Sequence, residues 1–62
     1  MNKLTDARKE KGITRDELAK RAGIPSRTLE RYEQGRSDLA DAKYKTVLAI
    51  AEALGKRPEE II

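Results

Sequence analysis

Thr14-Arg15-Asp16-Glu17-Leu18-Ala19-Lys20-Arg21-Ala22-Gly23-Ile24-Pro25-Ser26-Arg27-Thr28-Leu29-Glu30-Arg31-Tyr32-Glu33-Gln34-Gly35 decides the fold of this 62-residue chain. It reads as two short amphipathic helices either side of a tight turn. Thr14 followed three residues later by Glu17 is a capping-box pair: the hydroxyl accepts from the third residue's N–H and the carboxylate reaches back to the cap. Ile13, just before it, is placed as a hydrophobic staple. The first helix, residues 15–22, turns Leu18 and Ala22 to one side at i, i+4. Gly23 ends it. Pro25 disfavours helical backbone at Ile24 and presets its own φ, so the second helix starts at Pro25 or Ser26.

That second helix, residues 26–34, buries Leu29 and Tyr32. With Leu29 at zero on a wheel of 100° per residue, Arg27 falls at about 160°, Arg31 at about 200° and Gln34 at about 140°. Two arginines and an amide thus point away from the core. Basic donors on the free face of the second helix of such a pair suit the DNA major groove.

Working outward, Asn2 caps a first helix over residues 3–11 with Leu4, Ala7, Arg8 and Lys11 along one side. Gly12 stops it, with Lys9 and Lys11 near its negative end. Beyond Gly35 lies a looser stretch, residues 36–41, with Asp38 or Asp41 as N-cap candidates. A fourth helix follows over residues 42–54. Its stripe Val47, Ile50, Ala51, Leu54 is an i, i+3, i+4, i+7 pattern, extended at its edges by Tyr44 and Leu48. Gly55 closes it, and Pro58-Glu59-Glu60 opens a terminal fifth helical turn carrying Ile61 and Ile62. The expectation is an all-α, five-helix single domain over residues 1–62, with the helix–turn–helix unit at about residues 14–35.

A chain of this size buries only about 60% of its extended surface. Having no Cys and no His, it lacks the means for a disulfide or structural zinc, which leaves helix packing to stabilise it. Residues 1–36 hold ten Lys/Arg against six Asp/Glu, a net of +4, while residues 37–62 hold four against five, a net of −1. A basic front half suits a domain that offers one end to a polyanion; the alternative is a solvated surface whose 40% charge serves solubility. No apolar run approaches the roughly 18 residues of a membrane span, and no charged-then-apolar leader is visible. A cytoplasmic protein is expected, with no membrane partner. Catalysis is not: the two serines have no general base near them, and no metal-ligand cluster, phosphate loop, cofactor motif or small-molecule site is evident.

Taken together, Leu4, Arg8, Gly12-Ile13-Thr14, Leu18-Ala19, Gly23-Ile24, Leu29, Glu33 and Gly35 make the chain resemble the phage-repressor and Cro-like helix-turn-helix family, often called the XRE family. The match spans about residues 3–35, and Ala49-Ile50-Ala51-Glu52-Ala53-Leu54-Gly55 looks like the family's fourth helix. The resemblance implies a lambda-repressor-like DNA-binding domain of bacterial or phage origin. It also implies that Arg8 and Glu33, each about 40° from the core direction of its helix, pair with one another while the guanidinium still reaches the DNA backbone. Three departures stand out. Arg15 occupies the place where the family usually has a backbone-contacting Gln. Pro25 stands at the usual Ser/Thr cap of the third helix, and the loop after Gly35 lacks the common Pro.

On this reading Arg27 and Arg31 are the base-reading residues, since Arg donates in parallel to guanine O6 and N7. Thr28 and Ser26, near the helix start, are further base-contact candidates, although Ser26 serves equally as a cap. Arg15, Gln34, Arg36, Ser37 and Arg8 are candidates for the DNA backbone, where contacts fix register without carrying sequence. Glu30, at the rim, is expected to hold Arg27 or Arg31 in place. Tyr32 and Tyr44 read as core or rim packing, and Lys20, Arg21, Lys43 and Lys45 as solvated charges.

The function expected is sequence-specific binding of double-stranded DNA, most simply by a repressor occupying a pseudo-palindromic operator as a weak homodimer formed on DNA. Ile61, Ile62 and the helix-four region are the expected dimer surface. The competing reading is a protein-interaction or antitoxin-like module on the same scaffold.

Overall fold

A computed structural model describes residues 2–62. Its α-helices are α1 (Lys3–Lys11), α2 (Arg15–Ala22), α3 (Ser26–Glu33) and α4 (Tyr44–Leu54), with 3₁₀ turns at Leu39–Asp41 and Pro58–Glu60. α2 packs on both α3 and α4, and α1 closes the far side against α3 and α4. The result measures 25 × 23 × 22 Å.

The local chemistry explains each start. The Asn2 side chain accepts from the Thr5 N–H and begins α1. At α2 the Thr14 hydroxyl accepts from the Glu17 N–H at 3.1 Å while the Glu17 carboxylate accepts from the Thr14 N–H at 3.1 Å. That bond from the Thr14 backbone holds the Glu17 carboxyl below its ordinary 4.5. α3 begins behind Pro25, whose extended backbone (φ −63°, ψ 141°) stands at the cap position with no side-chain bond.

Beneath these helices Leu4, Ala7, Leu18, Ala19, Leu29, Leu39, Val47, Ile50, Ala51, Leu54 and Ile61 form one core. Leu18 is fully buried, but its companion in the core is Ala19, while Ala22 is only half-buried. On α3 Leu29 is the single buried residue, with Tyr32 packed partly against the core beside it.

The expected fifth helix is a single 3₁₀ turn. Its backbone closes by i→i+3 bonds, Glu60 N–H to Arg57 at 2.9 Å and Ile61 N–H to Pro58 at 3.2 Å. That tight winding drops Ile61 into the core at 2% exposure, so Ile61 belongs to the interior and not to a surface. Ile62 is exposed. The fourth helix begins at Tyr44, two residues later than expected. Asp38 caps the separate turn that buries Leu39 by accepting from the Ala40 N–H at 3.0 Å. Asp41 lies inside that turn, and neither aspartate caps α4, which Lys43 precedes without a side-chain bond. Tyr44, expected to pack along the stripe, is 70% exposed because it is the first residue of α4, a turn ahead of the first buried side chain, Val47.

The turn between α2 and α3 requires left-handed backbone at Gly23 (φ 72°). Its N–H reaches the carbonyls of Ala19 and Lys20, and the Ile24 N–H bonds the Ala19 carbonyl at 3.0 Å, a Schellman closure. A Cβ at this position would have no heavy atom within 4 Å, so the demand for glycine is conformational and not steric. Gly23→Ala therefore lowers stability by about 1–2 kcal/mol, seen as a drop of roughly 4–8 °C in melting temperature per kcal/mol. D-alanine at the same position of a synthetic chain raises stability by about 0.4–1 kcal/mol. A loss with both would place the cost in packing instead.

Candidate nucleic-acid interface

The outer face of α3 carries Arg27 and Arg31, and Gln34 follows at its C-terminal cap, all three exposed. Neither guanidinium has a hydrogen bond or ion pair among the described residues. Thr28 and Ser26 flank them half-buried. The Ser26 hydroxyl donates to the Asp16 carboxylate of α2, and Pro25 holds the cap position, so Ser26 does not cap α3.

At the other end α3 closes by folding the following loop back over itself. The N–H groups of Arg36 and Ser37 bond the Arg31 carbonyl at 2.9 and 3.3 Å, and the Gly35 N–H bonds Tyr32 at 3.3 Å. Arg36 and Ser37 are thereby fixed beside the C-terminal turn of the same helix that displays Arg31.

Behind this face lies an ion network that orients α3. Glu33 has a side chain only 3% exposed. Its two oxygens accept from Arg8 Nε at 3.2 and 3.0 Å, and Oε1 accepts from the Thr5 hydroxyl at 3.3 Å. Arg8 in turn donates through Nη1 to the Ile13 carbonyl at 2.9 Å. One carboxylate thus ties α3 to α1, and one guanidinium carries that tie on to the loop before α2. Asn2 adds a second clamp. Its Oδ1 caps α1, while its Nδ2 donates to the Tyr32 carbonyl at 2.7 Å and the Glu33 carbonyl at 3.4 Å, serving carbonyls at the end of α3.

Arg15 is also engaged. Its Nη1 donates to Glu30 Oε2 at 3.1 Å, and its Nε lies 3.7 Å from Glu33 Oε2, too far for a hydrogen bond. Glu30, expected to steady Arg27 or Arg31, is paired with Arg15 instead. At about 100° on the α3 wheel it stands within bonding distance of Arg15 at the start of α2. This pairing, the Asp16–Ser26 bond and the second function of Asn2 have no signature in the local sequence pattern. Each joins residues 10 to 31 positions apart, beyond the reach of helical spacing rules.

A family model described as helix-turn-helix matches residues 4–61, nearly the whole chain. No curated protein and no solved structure matches it. No helix among the described residues is long and apolar enough to cross a membrane.

The Arg8–Glu33 pair gives a stability test. Glu33→Leu or Arg8→Met alone strands a charge and costs about 3–5 kcal/mol, comparable to the whole stability of a domain this small at about 0.05–0.15 kcal/mol per residue. The double variant, apolar on both sides, is markedly more stable than either single variant in urea unfolding. Additive losses would show that the two side chains act independently.

Proposed function

We propose that this chain, which belongs to the helix-turn-helix family, is a sequence-specific binder of double-stranded DNA that regulates transcription, most simply as a repressor by operator occupancy. The observation that carries the reading is the division of labour among its arginines. Arg8 and Arg15 are spent on carboxylates, whereas Arg27 and Arg31 stand exposed and unpartnered on the outer face of α3. Free guanidinium groups on a helix held rigidly from behind suit bidentate recognition of guanine in the major groove. Thr28 and Ser26 lie near the start of that helix and complete the base-facing set.

Arg36, Ser37 and Gln34 at the C-terminal end of α3, and Arg15 at the start of α2, bracket it as backbone contacts. Arg8 contributes least to the backbone, because its side chain is only 14% exposed. The reading places the protein in the cytoplasm of a bacterium or phage host.

A pseudo-palindromic operator calls for two copies, with half-sites about 10 bp apart. Since Ile61 is interior, the dimer surface falls to the groove of about 330 Å³ whose lining is apolar but for Glu59 and includes Tyr44, Val47, Pro58 and Ile62. Tyr44 and Ile62, the exposed large hydrophobics, both stand on it.

Random-site selection on the purified protein yields a two-half-site motif, and Arg27→Ala relaxes it at one position per half-site; an unaltered motif removes Arg27 from base readout. Binding with six to ten phosphate contacts weakens by about 10³–10⁵ between 50 and 200 mM salt. Salt-indifferent binding favours the protein-interaction module instead. Tyr44→Asp and Ile62→Asp, both at exposed positions, abolish cooperativity between half-sites while leaving binding to a single half-site unchanged. Retained cooperativity moves the dimer contact elsewhere.

A further inference from the structure

The pairing of Arg15 with Glu30 carries a consequence for specificity, resting on the DNA-binding reading above. Arg15 is the first residue of α2, at the edge where that reading brings a backbone phosphate. A guanidinium has five N–H donors, and the structure occupies them sparsely. Nη1 bonds Glu30, and Nε lies near Glu33 but is buried without a hydrogen-bond partner. Glu33 is already held by Arg8 and Thr5, so Glu30 supplies the main counter-charge to Arg15.

Unlike the Arg8–Glu33 pair, this one is open to water, with side chains 36% and 40% exposed. Such a pair is weak and readily exchanged. Glu30 itself sits on the recognition helix. Its distance from DNA is therefore set by how α3 is seated, whereas a phosphate can approach Arg15 in many loose arrangements.

We infer that Glu30 is a specificity gate, standing in for a phosphate on Arg15 and yielding it to the DNA backbone only when α3 is seated in its groove. On random duplex, where α3 is not seated, the carboxylate keeps Arg15 and the complex has one phosphate contact fewer. On the operator, the base contacts of Arg27 and Arg31 bring the phosphate close enough to displace it. Glu30 thus lowers affinity for random DNA more than for the operator.

The test compares E30Q with the unsubstituted chain on two duplexes, the selected operator and one of random sequence, across a salt series. Glutamine keeps the shape of the side chain and removes its charge. The expected result is a steeper salt dependence of E30Q on random duplex by one phosphate. That is about 3.5-fold more affinity lost between 50 and 200 mM, with the operator slope unchanged and the ratio of operator to random affinity lowered. The effect vanishes when R15A is already present.

Equal changes on both duplexes, no change in either slope, or an effect that persists in R15A would each overturn the gate. A melting curve for E30Q that matches the unsubstituted chain ties the result to charge and not to folding. Absence of salt-dependent binding by the unsubstituted chain would instead overturn the DNA-binding reading itself, an outcome distinct from failure of the gate alone.

Discussion

The Glu33 carboxylate, almost sealed from water, is the constraint on which the remaining geometry depends. A buried negative charge is tolerable only with its oxygens satisfied, and here Arg8 and Thr5 of α1 supply the donors. That requirement fixes the rotation of α3 about its own axis. With Leu29 turned to the core and Glu33 turned to Arg8, the opposite side of α3 has no freedom left, and it carries Arg27 and Arg31. The direction of the exposed guanidinium groups is thus set from the buried side of the helix. Asn2 reinforces this from the helix end, because a single amide serves the start of α1 and the finish of α3 together.

Electrostatics then sorts cations of one chemical type into two populations. Burial forces Arg8 to remain with its carboxylate, since separating them would strand charge in a poorly hydrated place. Solvent access leaves the Arg15–Glu30 pair loosely bound. Arg27 and Arg31, with no carboxylate bonded to them among the described residues, keep their full donor set for an external acceptor. The basic front half noted from composition resolves into these distinct roles only once the neighbours of each side chain are known.

Much of the fold was legible in the sequence because its determinants are local. The capping box at Thr14, the glycine stop at Gly23, the proline before α3 and the stripe of α4 each act within a few residues, and the structure has all four. What escaped was non-local. Whether Ile61 or Tyr44 would be buried depended on how α4 and the last turn meet, and spacing alone gave both the wrong environment. The partner of Glu30 was misread for the same reason: helical neighbours Arg27 and Arg31 were visible in the sequence, but the competing Arg15 lay on another helix. The fifth of the expected helices is a single 3₁₀ turn, closed by the N–H groups of Glu60 and Ile61 with Ile61 seated in the core.

α3 meets the core through Leu29, with Tyr32 half-buried beside it, and keeps Arg27 and Arg31 wholly outside. The side chains that stabilise the domain and those left free for an external partner are therefore disjoint sets. Substitutions on the outward set change surface residues, whose effects on stability usually stay within about ±0.5 kcal/mol. Duplicated copies of such a domain are free to drift toward new targets through a handful of replacements, each intermediate remaining folded along the way.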